Sequence, residues 1–393
     1  MVGVELDRIP DIAKHLSLVF FLAWLGRSTA WNFLPIFIER HIASVFLVGI
    51  VTSLPAAIPV ILDIPVGNLV QRAGEKIVIL SGLLVAALPP LMYVTALPAM
   101  LVVGKMLEGV AKALVFNGGW SITMQSSNDD VEAESLSVFL LGLNLAIVIG
   151  PIIGGYLIDS YGFPVTFGLW VFTASLAVLV FLSYIGLERK RGFIESIEEL
   201  LHRDTYGNDW RHLKQNWGSI RFPLALIFLY SIIFSFYWLA IPLLLDKMGA
   251  GFITMGLIFG AAALPKVFQF MFGDLADRIG DLRVVALTSL LLTPVLVSMN
   301  FLSGAFMIGA MFFVARIFSA GMSPALHSIF DARCPEEHES ELTGFLEFFK
   351  HSGQALGPVV AGTAASIWSL NASFLVAAAV SAVIFASAIY SFR

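Results

Sequence analysis

The chain has 393 residues, of which 58% are hydrophobic and only 13% charged, and its net charge is −5. A soluble domain carries about 25% charged residues, so these proportions exclude a soluble globular protein, and the acidic balance excludes a nucleic-acid partner. Cys334 is the single cysteine, which excludes an intrachain disulfide.

The first apolar run follows Asp11 and Lys14 and lacks a small-residue cleavage site, so it reads as a spanning helix rather than a removed signal. Apolar stretches of about 20 residues or more can cross a bilayer. About twelve are predicted, at 15–38, 43–66, 77–96, 98–123, 135–158, 163–186, 222–245, 252–272, 284–303, 305–328, 341–367 and 371–391. In this layout Arg8, Lys14, Arg72, Lys76, Arg189, Arg203, Lys214, Arg278, Arg283 and Arg333 fall on one side, and only Arg40 and Lys247 on the other. The excess of basic residues marks the cytoplasmic face and places both termini there. The expected product is a multi-pass protein of the cell membrane, surrounded by lipid.

One polar stretch, 187–221, separates 1–186 from 222–393. Within it Ile194, Ile197, Leu200 and Leu201 recur at helical spacing against Glu195, Glu198 and Glu199. That pattern predicts an amphipathic helix at the cytoplasmic membrane surface, tethering two bundles.

Two internal echoes relate the halves. Gly67-x-x-x-Gln71-Arg72-x-Gly74 returns as Gly273-x-x-x-Asp277-Arg278-x-Gly280, each between two apolar runs and each read as a loop. Gly150-Pro151-x-x-Gly154-Gly155 in the fifth span returns as Gly357-Pro358-x-x-x-Gly362 in the eleventh. Small residues let helix backbones approach, and the proline can bend the helix. A whole-chain repeat of this kind predicts two similar halves.

On these residues the chain resembles the major facilitator superfamily of secondary transporters. Gly273, Leu275, Asp277, Arg278 and Gly280 match the family's motif between its second and third helices of a half. The first copy departs at Gln71, where the family has Asp, and at Glu75, where a basic residue is usual. Gly150-Pro151-x-x-Gly154-Gly155 resembles the fifth-helix motif of the family's proton antiporters, and Lys105-Met106-Leu107-Glu108-Gly109 its fourth-helix Arg-x-x-Gln-Gly motif. The resemblance implies an all-α fold of two pseudo-symmetric six-helix bundles around a central cavity, alternating access, no cofactor and a monomer. It also implies that Asp277 and Arg278 belong to a charge relay of the conformational gate, with Gly67, Arg72 and Gly74 in the weaker first copy. Gln71 cannot carry that charge, and Asp63, one turn before the motif begins at Gly67, is the candidate substitute.

Ionisable side chains inside spans cost roughly 2.5–3.5 kcal/mol each on insertion scales and mark functional sites by default. The candidates are Arg27 in the first span, Lys105, Glu108 and Lys112 in the fourth, Lys266 in the eighth, Arg316 in the tenth, and Glu347, Lys350 and His351 in the eleventh. Lys105, Glu108 and Lys112 share one helical face, and Glu108 is expected to pair well with only one lysine. Glu108 reads either as a proton carrier or as a fixed counter-ion, and Glu347 likewise. Arg316 corresponds by position to Lys105 in the other half. His351 is a proton-sensitive candidate, because imidazole titrates near neutrality. Lys266 either faces the cavity or snorkels. Asn117, Trp31, Tyr237 and Trp238 are candidate lining residues, while Trp24, Phe33, Phe116, Trp120 and Phe234 fit either lining or ordinary packing.

Basic candidates outnumber acidic ones, and a cavity with surplus positive charge attracts anions. The expected function is therefore secondary transport of a small anionic or zwitterionic organic solute, coupled to protons, as export by antiport. Uptake of organic anions with protons is the alternative. The acidic run 127–134 loosely resembles the Asp-rich loops of membrane prenyltransferases, but the absence of zinc, nucleophile-elbow and nucleotide-binding motifs leaves an enzyme a remote reading. A receptor that transports nothing has no need of charges on several helices of both halves.

Overall fold

The structure, a computed structural model, describes residues 9–128, 131–185, 207–335 and 339–391. A chain this apolar must satisfy its backbone within each segment, which in lipid leaves helices as the economical solution. Among the described residues every element is a helix. In chain order they are α1 (Asp11–Trp31), α2 (Leu34–Glu39), α3 (Val45–Ala73), α4 (Glu75–Ala86), α5 (Pro89–Tyr93), α6 (Pro98–Ser126), α7 (Glu132–Tyr161) and α8 (Phe163–Tyr184). The second series is α9 (Gly207–Lys247), α10 (Phe252–Val267), α11 (Phe270–Ile279), α12 (Asp281–Met299), α13 (Ala305–Asp331), α14 (Glu339–Ile367) and α15 (Leu370–Tyr390).

Eight helical segments are both long and apolar enough to cross a membrane, or nine when α10 and α11 are joined. α1, α6 and α14 are 21, 29 and 29 residues long and complete the expected set of about twelve. These three hold Arg27, Lys105, Glu108, Lys112, Glu347 and Lys350, and their charges are what lower their hydropathy.

Prolines punctuate the helices where a missing N–H is tolerated. Pro35, Pro89, Pro98 and Pro164 sit in the first two positions of α2, α5, α6 and α8. The first span breaks between Trp31 and Leu34, and the third between Ala86 and Pro89. α10 and α11 bend by 47° at their junction.

The structure corrects the loop reading of the repeated motif. The repeated motif is not a loop: Gly67–Ala73 ends α3, and Gly273–Ile279 lies within α11. Only its last glycine turns the chain, Gly74 at φ 93° and Gly280 at φ 91°, so that α4 and α12 start at the next residue. This left-handed region favours glycine. Of the tether at 187–221, residues 187–206 lie outside the described residues, and 207–221 form the first part of α9. The two halves in sequence also differ from the two units defined by packing. Asn32–Val60, which includes α2 and the first half of α3, groups with the second half of the chain, while the chain up to Trp31 groups with Ile61 onward.

The first unit packs α1 against α7 and α8, and α4 against α6. Leu16, Val19, Phe20, Ala23 and Trp24 of α1 meet Ile79, Val115, Phe139, Leu143 and Phe181 in its core. A Cβ on Gly150 would strike Ser28, and one on Gly154 would strike the Thr29 carbonyl, so both glycines are required for α7 to approach α1. Pro151 and Gly155 are buried beside them. The second unit repeats the scheme: α9 packs against α14, and α12 against α13. A Cβ on Gly357 would strike Ser235, and one on Gly353 the Phe228 carbonyl. The doubled Gly-Pro signature thus marks the same joint twice, span five on span one and span eleven on span seven.

Asn32–Val60 is fastened to this second unit by several contacts. Phe33 is fully buried against the edges of Phe252 and Phe259, at 5.7 and 5.6 Å. Arg40 pairs with Asp246 at 3.3 Å. Gly49 and Gly362 let α3 cross α14 at backbone distance: a Cβ on Gly49 would lie 2.5 Å from the Pro358 carbonyl oxygen, and one on Gly362 would lie 2.8 Å from that of Val45.

Candidate functional site

Buried charges gather into two groups, one in each unit. In the first, α1 supplies Arg27, α6 supplies Lys105 and Glu108, and α5 supplies Tyr93. Arg27 donates from Nε and Nη2 to Glu108 Oε2 at 3.2 and 3.0 Å. Lys105 Nζ lies 3.0 Å from Glu108 Oε1. The Tyr93 hydroxyl donates to that same oxygen at 2.5 Å. The Glu108 carboxylate therefore serves two cations and a phenol, not the single lysine expected, because Arg27 reaches it from a neighbouring helix. A carboxylate taken out of water is tolerated only with such full satisfaction.

Exposure separates the three ionised groups. The side chains of Lys105 and Glu108 are 2% and 1% exposed, whereas Arg27 is 22% exposed. Arg27 also lies over the Trp31 ring at 4.9 Å. It is the most exposed charge of this group. Tyr93 was missed by sequence reasoning, since a lone tyrosine in an apolar run carries no pairing signal. Gly104 makes room for it, because a Cβ there would strike the Tyr93 ring. Lys112 is half-buried on the same helix as Glu108. Asn117 donates from Nδ2 to its own helix at Ala113 and, at 3.3 Å, to Asp63 Oδ1. It therefore bridges α6 and α3 and fixes the carboxylate that sequence reasoning placed at the gate.

In the second unit α10 supplies Lys266, α13 Arg316, and α14 Glu347, Lys350 and His351. Arg316 donates from Nε to the Ala262 carbonyl at 3.3 Å and stacks over Phe234 at 4.7 Å. Tyr230 and Tyr237 of α9 lie within electrostatic reach of its guanidinium. Lys266 lies within reach of the charges of both Arg316 and Lys350. Among the described residues neither Lys266 nor Arg316 has a carboxylate partner. Where Lys105 has Glu108 one turn later, Arg316 has Ser319. Lys350 is paired to Glu347 Oε1 at 2.5 Å, and His351 Nε2 is 3.9 Å from the other oxygen. Of these cations, Lys350 has the Glu347 carboxylate as its ion-pair partner.

The aromatic candidates sort themselves by packing. Tyr237 lies against Phe312 at 5.3 Å and is buried, while Trp238 is half-buried on the edge of Phe234. Trp24 and Phe116 pack edge to face in the core of the first unit, and Trp120 is exposed. Those three are packing or surface residues.

The gate-motif residues lie at the C-terminal ends of α3 and α11. Asp277 and Arg278 are exposed, and neither forms an ion pair or hydrogen bond with a described residue. Adjacent helical positions point about 100° apart, so the two cannot face each other. Gln71 is exposed and Arg72 half-buried. Glu75, the departure from the family pattern, accepts from Gln125 at 2.8 Å. A Cβ on Gly67 or Gly273 meets open space, so neither is held by a close approach.

The sequence profile described as Major Facilitator Superfamily matches residues 16–265 and 224–393. The multidrug resistance protein MdtG of Rahnella sp. (strain Y9602) is 24% identical over 384 residues, covering 92% of this chain and 90% of that protein. MdtG of Escherichia coli (strain K12 / DH10B) is 24% identical over 393 residues, covering 95% and 93%. Among solved structures, the human organic anion transporter MFSD10 (TETRAN) superposes with a TM-score of 0.69 at 17% identity, covering 96% of this chain and 98% of that one. A bacterial homolog of the human lysosomal transporter Spinster superposes at 0.75 with 13% identity, covering 98% and 96%.

Proposed function

The chain belongs to the major facilitator superfamily, and from that premise we propose that it carries a small organic anion or zwitterion across the membrane by alternating access, coupled to protons. It is a multi-pass membrane transporter and not an enzyme. The observation that carries the anionic substrate is the pair Lys266 and Arg316. Two cations within reach of each other, inside spans and without a carboxylate among the described residues, form a standing demand for a negative group. The rings of Tyr237 and Trp238, in the same unit, suit an apolar body.

Two modes of coupling have distinct support. Export in exchange for protons is favoured by kinship with proteins named for multidrug resistance and by the fifth-helix joint at Gly150 and Pro151. Carriage of anion and proton in the same direction is favoured by the Glu347–Lys350 pair within reach of Lys266, which has no carboxylate partner among the described residues.

Reconstituted vesicles distinguish them with p-toluenesulfonate, which stays ionised and does not leak through lipid as a neutral acid. An acidic exterior that drives accumulation of external probe supports same-direction carriage; one that discharges probe loaded inside supports exchange. Arg316→Ala is expected to abolish either flux. Unchanged flux in Arg316→Ala and Lys266→Ala would remove the anion site from the proposal.

A further inference from the structure

We propose that Glu347 is the proton site of this carrier and that Lys350 is shared between Glu347 and the transported anion, so that proton and anion bind together and travel in the same direction. This rests on the anion reading of Lys266 and Arg316.

The geometry sets up a competition. Lys350 holds Glu347 at 2.5 Å, and its charge also reaches Lys266 across from α10. An anion drawn in by Lys266 and Arg316 therefore arrives beside an ammonium already engaged by a carboxylate. While Glu347 is ionised it keeps Lys350 occupied and repels the newcomer. Once Glu347 takes a proton, the ion pair is given up, Lys350 is released, and the basin gains one unit of positive charge. Glu347 is open enough for this exchange, with its side chain 35% exposed and that of Lys350 29%. Glu108 lacks this freedom: it is 1% exposed and holds two cations and a phenol at once. It fits a fixed counter-ion.

The groups around Glu347 act in the same sense. On α14 itself these are Lys350 and His351. From α13, His327 lies within reach of Glu347, Lys350 and Asp331, and Arg316 faces Lys266. From α10 comes Lys266, and from α9 Tyr230 and Tyr237 face Arg316. Each of these groups, on gaining a proton, becomes less negative or more positive. By direct charge contact, protonation anywhere in this set can only strengthen anion binding. Linkage is reciprocal, so a bound anion raises the proton affinity of Glu347 by the same factor. The favoured states are then empty and deprotonated or loaded with both, which is the condition for carriage in one direction. Exchange of anion for proton needs a coupling of the opposite sign.

The test is equilibrium binding of radiolabelled p-toluenesulfonate to the purified full chain between about pH 6 and about pH 8, with benzoate and phenyl phosphate as competing probes. In this range a sulfonate does not titrate. The wild-type affinity is expected to fall with rising pH, by up to about tenfold per pH unit for one linked proton. Glu347→Gln, which mimics the protonated acid, is expected to bind more tightly than the parent at about pH 8, with the slope reduced to what His327 and His351 contribute, and Glu347→Asp to keep the full slope. Lys350→Gln, which removes the shared ammonium, is expected to bind more weakly than the parent across the range. Wild-type affinity that rises with pH, or an unaltered slope in Glu347→Gln, overturns the proton site and leaves the anion site standing. Binding unaffected by Arg316→Ala and Lys266→Ala, or no binding of any probe, overturns the anion reading and this inference with it. Monodispersity and the melting transition of each variant establish that it is folded.

Discussion

Glu108 shares its single negative charge between two cations, and the three ionised groups of that cluster differ in exposure. Lys105 is enclosed with Glu108, whereas Arg27 retains access to solvent. Removing the shared carboxylate leaves Lys105 as an uncompensated buried charge, which costs about 3–5 kcal/mol. Glu108→Gln is therefore expected to lower the melting transition sharply, and Arg27→Gln to lower it far less. Tyr93→Phe removes a hydrogen bond to a charged acceptor, worth about 1.5–3 kcal/mol. Lys105→Met combined with Glu108→Leu is expected to recover most of the loss seen in Glu108→Gln, since the pair disappears together. Thermal unfolding of the purified variants measures all four, and a Glu108→Gln variant as stable as the parent would contradict this account of the cluster.

At the scale of the helices, the doubled motifs separate into positions that the backbone needs and positions that it does not. Gly74 and Gly280 hold left-handed conformations, so an added Cβ is strained by about 1 kcal/mol or more. Gly67 and Gly273 lie in helices with open space around them. Gly74→Ala and Gly280→Ala are expected to lower the melting transition, while Gly67→Ala and Gly273→Ala leave it within about 0.5 kcal/mol. Equal losses at all four sites would contradict this division. The Gly-Pro joints were legible in the sequence, because close helix approach has few chemical solutions and this one is written twice. Helix ends were not: Asn68, Gln71 and Arg72 are polar in the manner of a loop, yet they finish α3. The partnership of Tyr93 with Glu108 was hidden for a different reason. It depends on how a short segment after Pro89 and Pro90 lies against α6, which is a tertiary fact with no local periodicity. The charged residues themselves were legible as a set, because each defies the composition of its span, while their pairing had to await helix neighbours.

For the molecule as a whole, the distribution of basic residues predicts a cytoplasmic side that holds Lys76 and Arg283 and an opposite side that holds Arg40 and Lys247. The single cysteine makes this directly measurable. In a Cys334→Ser background, Lys247→Cys is expected to react with an impermeant maleimide in intact cells, and Lys76→Cys only after the membrane is opened; the reverse pattern would invert the topology. The same scale explains why the midpoint of the sequence is a poor guide to independent stability. Asn32–Val60 belongs by packing to the later half, through Phe33 under Phe252 and Phe259, Arg40 on Asp246, and the Gly49–Gly362 crossing. A gene split between codons 187 and 206 would consequently deliver a C-terminal polypeptide missing its own wedge. Expressed alone, that fragment is expected to be cleared by membrane proteases. Supplying the N-terminal fragment from a second plasmid is expected to restore it, and a Gly49→Leu change in the helper is expected to undo the rescue.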